Sequence, residues 1–294
     1  MNRLVTIVLL IAVLGAFGCS NSTTSPGEGL KVTTLLGGLE YPKGLWIAGG
    51  KVYFTETNGR YTTGGKVDLS EYDLATSTKT LIIDNPENYD AVVVTASGTM
   101  YLTSWHGSIP GSLGKVSKVD EVTHVESQVT DLQIASNDMF LESNEDILVI
   151  GESGDVGAYS MYRLRSGSYG SPEVIHQGLG LAKCVAEVGG VIYYSDDYDV
   201  KRWISSGTLE TFVSSKSVES ISATSSWVYY ADTESGKVGR ISVGSRTNEV
   251  LVSGLHSPTA VRWVSSSKKL YILSAGTDAN QFKDGTLKVV TGLR

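Results

Sequence analysis

Cysteine is scarce in this chain: only two of the 294 residues are cysteine, at positions 19 and 184. If Cys19 is lipidated, Cys184 has no partner for an intramolecular disulfide. Cys184 lies in the apolar segment 181–186, a context that predicts a small buried side chain rather than a nucleophile. Without disulfides the fold depends on its hydrophobic core, and about 265 residues are enough to form one.

Motifs that define common enzyme classes are missing as well. The chain has four histidines, and no two of them have the spacing of a metal site; they are His106, His124, His176 and His256. There is no G-x-S-x-G sequence, and Gly114-Lys115 lacks the earlier Gly and the following Ser or Thr of a phosphate-binding loop. Asp197 and Asp199 do not have the spacing of an EF-hand loop.

Positive charge is in deficit. The chain has 24 Lys and Arg against 31 Asp and Glu, for a formal net charge of −7. The basic residues are scattered, and no stripe alternates basic with aromatic residues. Nucleic acid is therefore not expected as a partner, because it is bound by clustered Lys and Arg.

The one long apolar run lies at the N-terminus. Residues 1–3 carry one positive charge, and residues 4–14 are apolar except for Thr6. Eleven residues are too few for a membrane-spanning helix, which needs about 20. This pattern predicts a signal peptide rather than an anchor.

The residues before Cys19 resemble the bacterial lipobox, with Ala16 at the position that Leu usually occupies. The resemblance implies cleavage before Cys19, lipidation of its thiol and export to the bacterial cell envelope, at the outer membrane or cell surface. An ordinary secretory signal is the alternative. We expect residues 1–18 to be the signal peptide, 19–29 a lipidated Cys with a flexible tether, and 30–294 the folded domain. Membrane contact would then be through the lipid only.

A β-rich triplet recurs six times in the remaining sequence. The middle residues of the triplets are 48, 48, 44, 36 and 42 residues apart; they are Tyr53, Tyr101, Val149, Tyr193, Tyr229 and Tyr271. A strand-only repeat near 40 residues is typical of a β-propeller with one four-stranded blade per repeat. Most tyrosines lie in these triplets and are expected to pack in the blades rather than to form a sugar-binding platform.

The sixth repeat ends after its third strand, whereas residues 30–36 precede the first repeat and have the pattern of a fourth strand. We therefore predict an all-β, six-bladed propeller that is closed by the N-terminal strand completing the last blade. Such closure removes exposed sheet edges.

Residues 227–258 resemble a YWTD-type repeat: an aromatic strand ends in Asp232, a strand carrying Arg240 follows, and a turn containing Pro258 leads onward. The chain is thus similar to the YWTD, NHL and gluconolactonase-like group of six-bladed propellers. The resemblance implies the fold and does not select among the functions that this fold supports.

Long loops between second and third strands are expected on one face, together with the links between blades. Such a rim is a common position for binding sites. The alternative is that the loops are long without having a function. The residues predicted for this binding face are Lys43, Arg60, Tyr61, Trp105, His106 and Lys183. His106 beside Trp105 is a candidate for a catalytic base or a ligand contact, and an exposed loop pair without a role is the alternative.

The start of each innermost strand is expected on the same face. Aligning the repeats predicts a ring around the channel mouth that consists of Lys43, Asp90, Asp138, Lys183, Glu219 and Thr259. In gluconolactonase-like propellers, acids and amides near this position bind a divalent metal, so the resemblance implies calcium at Asp90, Asp138 and Glu219, with Asn137 nearby. The two lysines offer the alternative of a neutral salt-bridge network.

Further acids end four triplet strands, and they are Glu56, Glu152, Asp196 and Asp232. In YWTD-like blades the equivalent Asp mostly makes structural hydrogen bonds. The leading functional prediction is a non-enzymatic, lipid-anchored propeller that binds a protein or small ligand on its loop-rich face. One alternative is a calcium-dependent hydrolase or lactonase of the gluconolactonase type, and another is a scaffold subunit of an envelope complex.

Overall fold

The computed structural model describes residues 29–57, 67–85, 88–105, 113–120, 122–153, 158–204, 207–214 and 217–293. Cys19, Arg60, Tyr61 and His106 lie outside these residues, and for Trp105 the backbone alone is described. The described residues form 24 strands in six four-stranded antiparallel sheets, which confirms the predicted six-bladed β-propeller. No helix among the described residues is long and apolar enough to span a membrane.

Each blade has four strands, numbered here in chain order. The innermost strands are β2 (Pro42–Ala48), β6 (Asn88–Val94), β10 (Ile134–Leu141), β14 (Val185–Val188), β18 (Val218–Ala223) and β22 (Pro258–Val264). The second strands are β3 (Lys51–Thr57), β7 (Met100–Trp105), β11 (Ile147–Ser153), β15 (Val191–Asp196), β19 (Trp227–Asp232) and β23 (Lys269–Ser274). The third strands are β4 (Val67–Asp73), β8 (Gly114–Val119), β12 (Tyr159–Leu164), β16 (Asp199–Ile204), β20 (Lys237–Ser242) and β24 (Gly285–Thr291). The outermost strands are β5 (Thr78–Asn85), β9 (Glu126–Leu132), β13 (Glu173–Leu179), β17 (Thr208–Val213), β21 (Asn248–Val252) and β1 (Lys31–Leu39). One short 3-10 helix covers Asp278–Asn280.

The triplets predicted from the sequence lie in the second strands, where side chains on both sheet faces are buried. In β15, for example, Ile192, Tyr193 and Tyr194 are each at most 2% exposed. Aromatic and β-branched side chains suit such positions because they pack well on a pleated surface. The core lies between adjacent blades, where Tyr53 of the first blade packs in one cluster with Leu102 of the second.

The N-terminal strand β1 closes the ring. It pairs antiparallel with β24, so that Lys31 lies opposite Thr291 and Leu39 opposite Gly285. The sixth blade therefore combines the first strand of the fold with its last three. Leu39 is 1% exposed and packs with Leu45 and Leu287, which ties the closing strand into the core between the sixth blade and the first.

A β-bulge recurs near the start of the innermost strands. Register shifts leave Asp90, Glu219 and Thr259 as the unpaired residues of β6, β18 and β22. In β10 the unpaired residue is Asn137, and Asp138 pairs with Ile150. A bulged residue is released from the regular alternation of faces, so bulges at this position turn polar side chains into the channel mouth.

Candidate ligand-binding site at the channel mouth

All six predicted ring residues line one cavity of about 230 Å³ at the mouth of the channel. Asn137, Tyr159, Leu181 and Arg262 are among its other lining residues. The strand order explains the convergence, because every innermost strand starts at this face and lies beside the channel axis. The alignment of repeats thus predicted the right side chains for the mouth.

Two ion pairs neutralise four of the ring residues. Lys43 Nζ lies 3.0 Å from Asp90 Oδ1, and Lys183 Nζ lies 2.8 Å from Glu219 Oε2. Both pairs join neighbouring blades, the first to the second and the fourth to the fifth. Their side chains remain 19–33% exposed, so water weakens each pair. These two ion pairs form the neutral salt-bridge network that was predicted from the sequence as the alternative to a metal site.

Other mouth residues also bond across blade boundaries. Thr259 Oγ1 donates to the carbonyl of Pro42 at 2.6 Å, and Val261 N–H donates to Ser220 Oγ at 3.1 Å. Gly44 packs so closely on the second blade that an added Cβ would lie 2.9 Å from the carbonyl oxygen of Asp90. These contacts hold the mouth in a fixed shape before any ligand enters.

Asp138 has a different environment from the other two acids. Its Oδ2 accepts the Val185 N–H at 3.0 Å, and its Oδ1 accepts its own following amide, Met139 N–H, at 2.8 Å. Burial raises the pKa of Asp138 to about 6, although Arg262 and the two amides act in the opposite direction. The sequence alignment placed Asp138 level with Asp90, but the register puts Asp138 two residues farther along its strand, opposite Ile150 and one residue beyond the bulge.

The three predicted metal ligands do not form a metal site. Among the residues that the structure describes, no group of three or more His, Cys, Asp and Glu side chains converges closely enough to hold an ion. The amines of Lys43 and Lys183 lie against the carboxylates of Asp90 and Glu219, where a cation would have to bind. The arrangement of these residues therefore does not fit calcium.

Arg262 is the residue that the sequence analysis missed. It lies three residues along β22 from Thr259, or about 10 Å deeper in the channel. Its guanidinium carbon is 4.1 Å from the centre of the Trp46 ring and 5.4 Å from that of Phe140. These rings come from the first and third blades, and the third blade is opposite the sixth in a ring of six. Arg262, Trp46 and Phe140, here called the plug, thus meet across the channel.

Burial lowers the pKa of Arg262 to about 10, and the nearby Asp138 opposes this shift. Arg262 is consequently still protonated at neutral pH and places a positive charge at the floor of the cavity. A charged residue inside the apolar strand Ala260–Val264 was the signal that sequence analysis could have used, since the repeat alignment sets Arg262 level with Trp46.

Two of the four acids that end triplet strands, Glu56 and Asp196, make structural contacts. Glu56 accepts the Glu40 N–H at 3.2 Å and pairs with Lys79, and Asp196 pairs with Lys201. Asp197 adopts a left-handed conformation with a φ of 56°, and its side chain accepts the Leu181 N–H at 3.0 Å. Cys184 is fully buried, as predicted.

Comparisons with known proteins support the fold. The structure of regucalcin from Agrobacterium tumefaciens, described as a calcium-binding protein, matches with a TM-score of 0.70 at 16% identity, covering 88% of this chain and 92% of that one. A gluconolactonase from Xanthomonas campestris matches with a TM-score of 0.70 at 10% identity, covering 91% and 93%. The PQQ-bound aldose sugar dehydrogenase of Streptomyces coelicolor matches with a TM-score of 0.66 at 15% identity, covering 91% and 100%.

The six-bladed propeller is shared. At these identities the likeness shows the fold alone, and the function must be argued from the site. No protein-family model matches the chain, and no curated protein matches it.

Proposed function

We propose that this propeller binds a small, polyhydroxylated, sugar-derived molecule in the cavity at the channel mouth. The observation that carries the proposal is the cavity itself: it is lined by charged and polar groups and lies over the Arg262 side chain. At about 230 Å³ it is smaller than the pockets of drug-sized ligands, which begin near 300 Å³. Carboxylates, ammonium groups and an amide at fixed positions suit a ligand with several hydroxyl groups.

The structural neighbours support a sugar-derived ligand. Two of the three neighbours described above are named for sugars or sugar lactones, a gluconolactonase and an aldose sugar dehydrogenase. They favour this class of ligand over a large protein partner on the loop-rich face. A protein partner would also need a broad surface, whereas the prearranged polar groups here surround a narrow opening.

Lactone hydrolysis is the second candidate, and the neighbours favour it over a purely passive binding module. In this chain Asp90, Asp138 and Glu219 line one cavity, as such an enzyme would need. Calcium, if bound, would act as a Lewis acid on a substrate oxygen. The lysine pairing of two of these acids argues against that ion in the present arrangement, so no catalytic step is assigned to it.

The test combines binding and turnover. Thermal unfolding of the purified protein with glucose, sorbitol, gluconate and glucono-δ-lactone should show stabilisation by at least one of them, as binding to the native state requires. Lactone hydrolysis should be measured with added calcium and with a chelator. Stabilisation without turnover supports a binding protein, and calcium-dependent turnover supports the lactonase. If none of the four compounds shifts the unfolding temperature and no hydrolysis occurs, the proposal is wrong.

Export and lipid anchoring at Cys19 are proposed from the N-terminal sequence, because a short apolar run followed by small residues and Cys is typical of a lipoprotein signal. Mass spectrometry of the mature N-terminus tests this proposal. A diacylated Cys19 supports it, whereas an unmodified Cys19 or a different first residue overturns it.

A further inference from the structure

The guanidinium group of Arg262 has more donors than the surrounding protein uses. A guanidinium carries five N–H donors. Within the described part of the chain, Arg262 makes hydrogen bonds through Nε and Nη2, both to the carbonyl oxygen of Leu45 and both at 3.4 Å. These bonds are long and share one acceptor. Most of the hydrogen-bonding capacity of a largely buried cation therefore remains available at the cavity.

The plug fixes the orientation of this cation. Trp46 stacks on Arg262 at 4.1 Å, and Trp46 is itself held by a hydrogen bond of 2.9 Å from its indole N–H to the carbonyl of Val94. Stacking uses the face of the planar guanidinium and leaves the N–H groups on its edge. Arg262 also lines the cavity, so a ligand that enters the mouth reaches this edge.

Neighbouring carboxylates do not neutralise Arg262 directly. Asp90 and Glu219 are paired with lysines, and both oxygens of Asp138 accept backbone N–H groups. Asp138 influences Arg262 through its charge, yet no direct ion pair joins the two side chains in the described structure. A largely buried cation without a carboxylate partner is costly, and an anionic ligand would relieve that cost.

From this geometry we infer that Arg262 is the receptor for a carboxylate, so that the ligand of the cavity is a small hydroxylated carboxylic acid rather than a neutral sugar. The carboxylate would accept charge-assisted hydrogen bonds from the guanidinium edge. The ligand's hydroxyl groups would bond to the Lys43–Asp90 and Lys183–Glu219 pairs nearer the mouth. This inference rests on the proposed function and specifies its ligand.

The experiment uses gluconate and sorbitol, a carboxylate and a neutral polyol with the same number of carbon atoms. Calorimetric titration of both compounds is compared for the parent protein, Arg262→Gln and Arg163→Gln. Arg163 is the matched control because it is a largely buried arginine on β12, paired with Glu142 at 2.7 Å and outside the cavity. Unfolding temperatures of all three proteins show whether each variant is folded.

The inference expects gluconate to bind the parent at least tenfold more tightly than sorbitol. Arg262→Gln should lose roughly 10- to 100-fold in gluconate affinity and leave sorbitol binding unchanged, since hydrogen bonds to charged groups are worth about 1.5–3 kcal/mol. Arg163→Gln should bind like the parent. In the parent, the Nε–H resonance of Arg262 should shift with gluconate and not with sorbitol, a readout that a purely structural arginine would not give.

Four results would overturn the inference. If sorbitol binds as tightly as gluconate, or if Arg262→Gln binds gluconate like the parent, the cavity binds polyols without a carboxylate receptor, and the proposed function survives. If the Arg262 resonance is unchanged by saturating gluconate, the carboxylate binds elsewhere. Failure of both compounds to bind the parent overturns this inference, whereas the proposed function is judged separately by its four-compound test.

Discussion

The guanidinium of Arg262 stacks on the indole of Trp46 with 4.1 Å between its central carbon and the ring centre. The two residues are separated by more than 200 positions in sequence, yet they lie on the adjacent innermost strands of the sixth and first blades. With Phe140 of the third blade they close the channel below the polar mouth. The same three side chains therefore hold blades together and close the channel beneath the proposed binding cavity.

Replacing Trp46 by Ala should lower the free energy of unfolding by about 3 kcal/mol, because a large aromatic side chain is removed from a contact between blades. Trp46 contacts Arg262 and Phe140 and donates to Val94, so it joins four of the six blades. Urea unfolding measures the effect. Trp227→Ala is the control, since Trp227 stacks on Arg240 at 4.0 Å in its own blade and packs on one neighbouring blade only. An equal or larger loss in the control would contradict the bridging role of Trp46.

Removing residues 1–36 should destabilise the protein strongly, whereas removing residues 1–28 should not. The longer deletion takes away most of β1, whose pairing with β24 completes the sixth blade. We expect a loss of roughly 3–5 kcal/mol and a fall in the unfolding temperature of about 10 °C or more. Differential scanning calorimetry of the two truncations provides the comparison. Identical unfolding curves would show that closure by β1 contributes little.

Replacing Lys43 and Lys183 together by Met should give at most weak calcium binding at the channel mouth, because the three acids of the described structure do not converge on one point. The substitutions remove the cations that neutralise Asp90 and Glu219, and they leave carboxylate oxygens of the kind that calcium prefers. We expect a dissociation constant of about millimolar magnitude, as in weak natural sites. Calorimetric titration with calcium compares this variant with the parent. Tight calcium binding by the parent itself would refute the assignment of these acids to lysine pairs.

Acid should loosen the loop before β24 through Asp284. Burial alone would raise the pKa of this carboxyl group, but hydrogen bonds from Asn280 and Thr277 lower it to about 2. A group with a lowered pKa contributes stability above its unfolded value of about 3.9, and the contribution disappears as pH falls towards 2. Asp284→Asn should therefore be about 1–2 kcal/mol less stable at pH 7, with little difference at pH 2. Urea unfolding of the parent and of Asp284→Asn from pH 7 to pH 2 measures how the difference between their unfolding free energies changes. A difference that stays constant over this pH range would argue against a role of Asp284 ionisation in stability.

The fold was predictable because its information is local and repeated. Each triplet around Tyr53, Tyr101 or Tyr193 marks a second strand, and its spacing to the next gives the length of a blade. The closing strand was predictable by elimination, since six repeats of four strands need one more strand than the C-terminal end supplies. Its observed bounds, Lys31–Leu39, extend three residues beyond the predicted end at residue 36.

The composition of the mouth followed from the same register, but its electrostatics did not. Aligning the six repeats identified the acids and lysines of the mouth but not which of them pair. A calcium site and a neutral salt-bridge network were therefore both possible. The pairing depends on which blades are adjacent and on the bulge that turns each side chain. In β10 that bulge lies one pair farther along than in β6, β18 and β22, and Asp138 follows it, which separates Asp138 from Asp90 and Glu219.

The sequence by itself determined the number of blades, the closure of the ring and the residues at its mouth, because a hydrophobic period and turn residues act over short distances along the chain. Tertiary structure alone decided that Lys43 and Lys183 neutralise two of the three acids, and that Arg262 reaches across the channel to Trp46 and Phe140. These contacts join residues that are distant in sequence, and their energies depend on distance and burial, which no local pattern encodes.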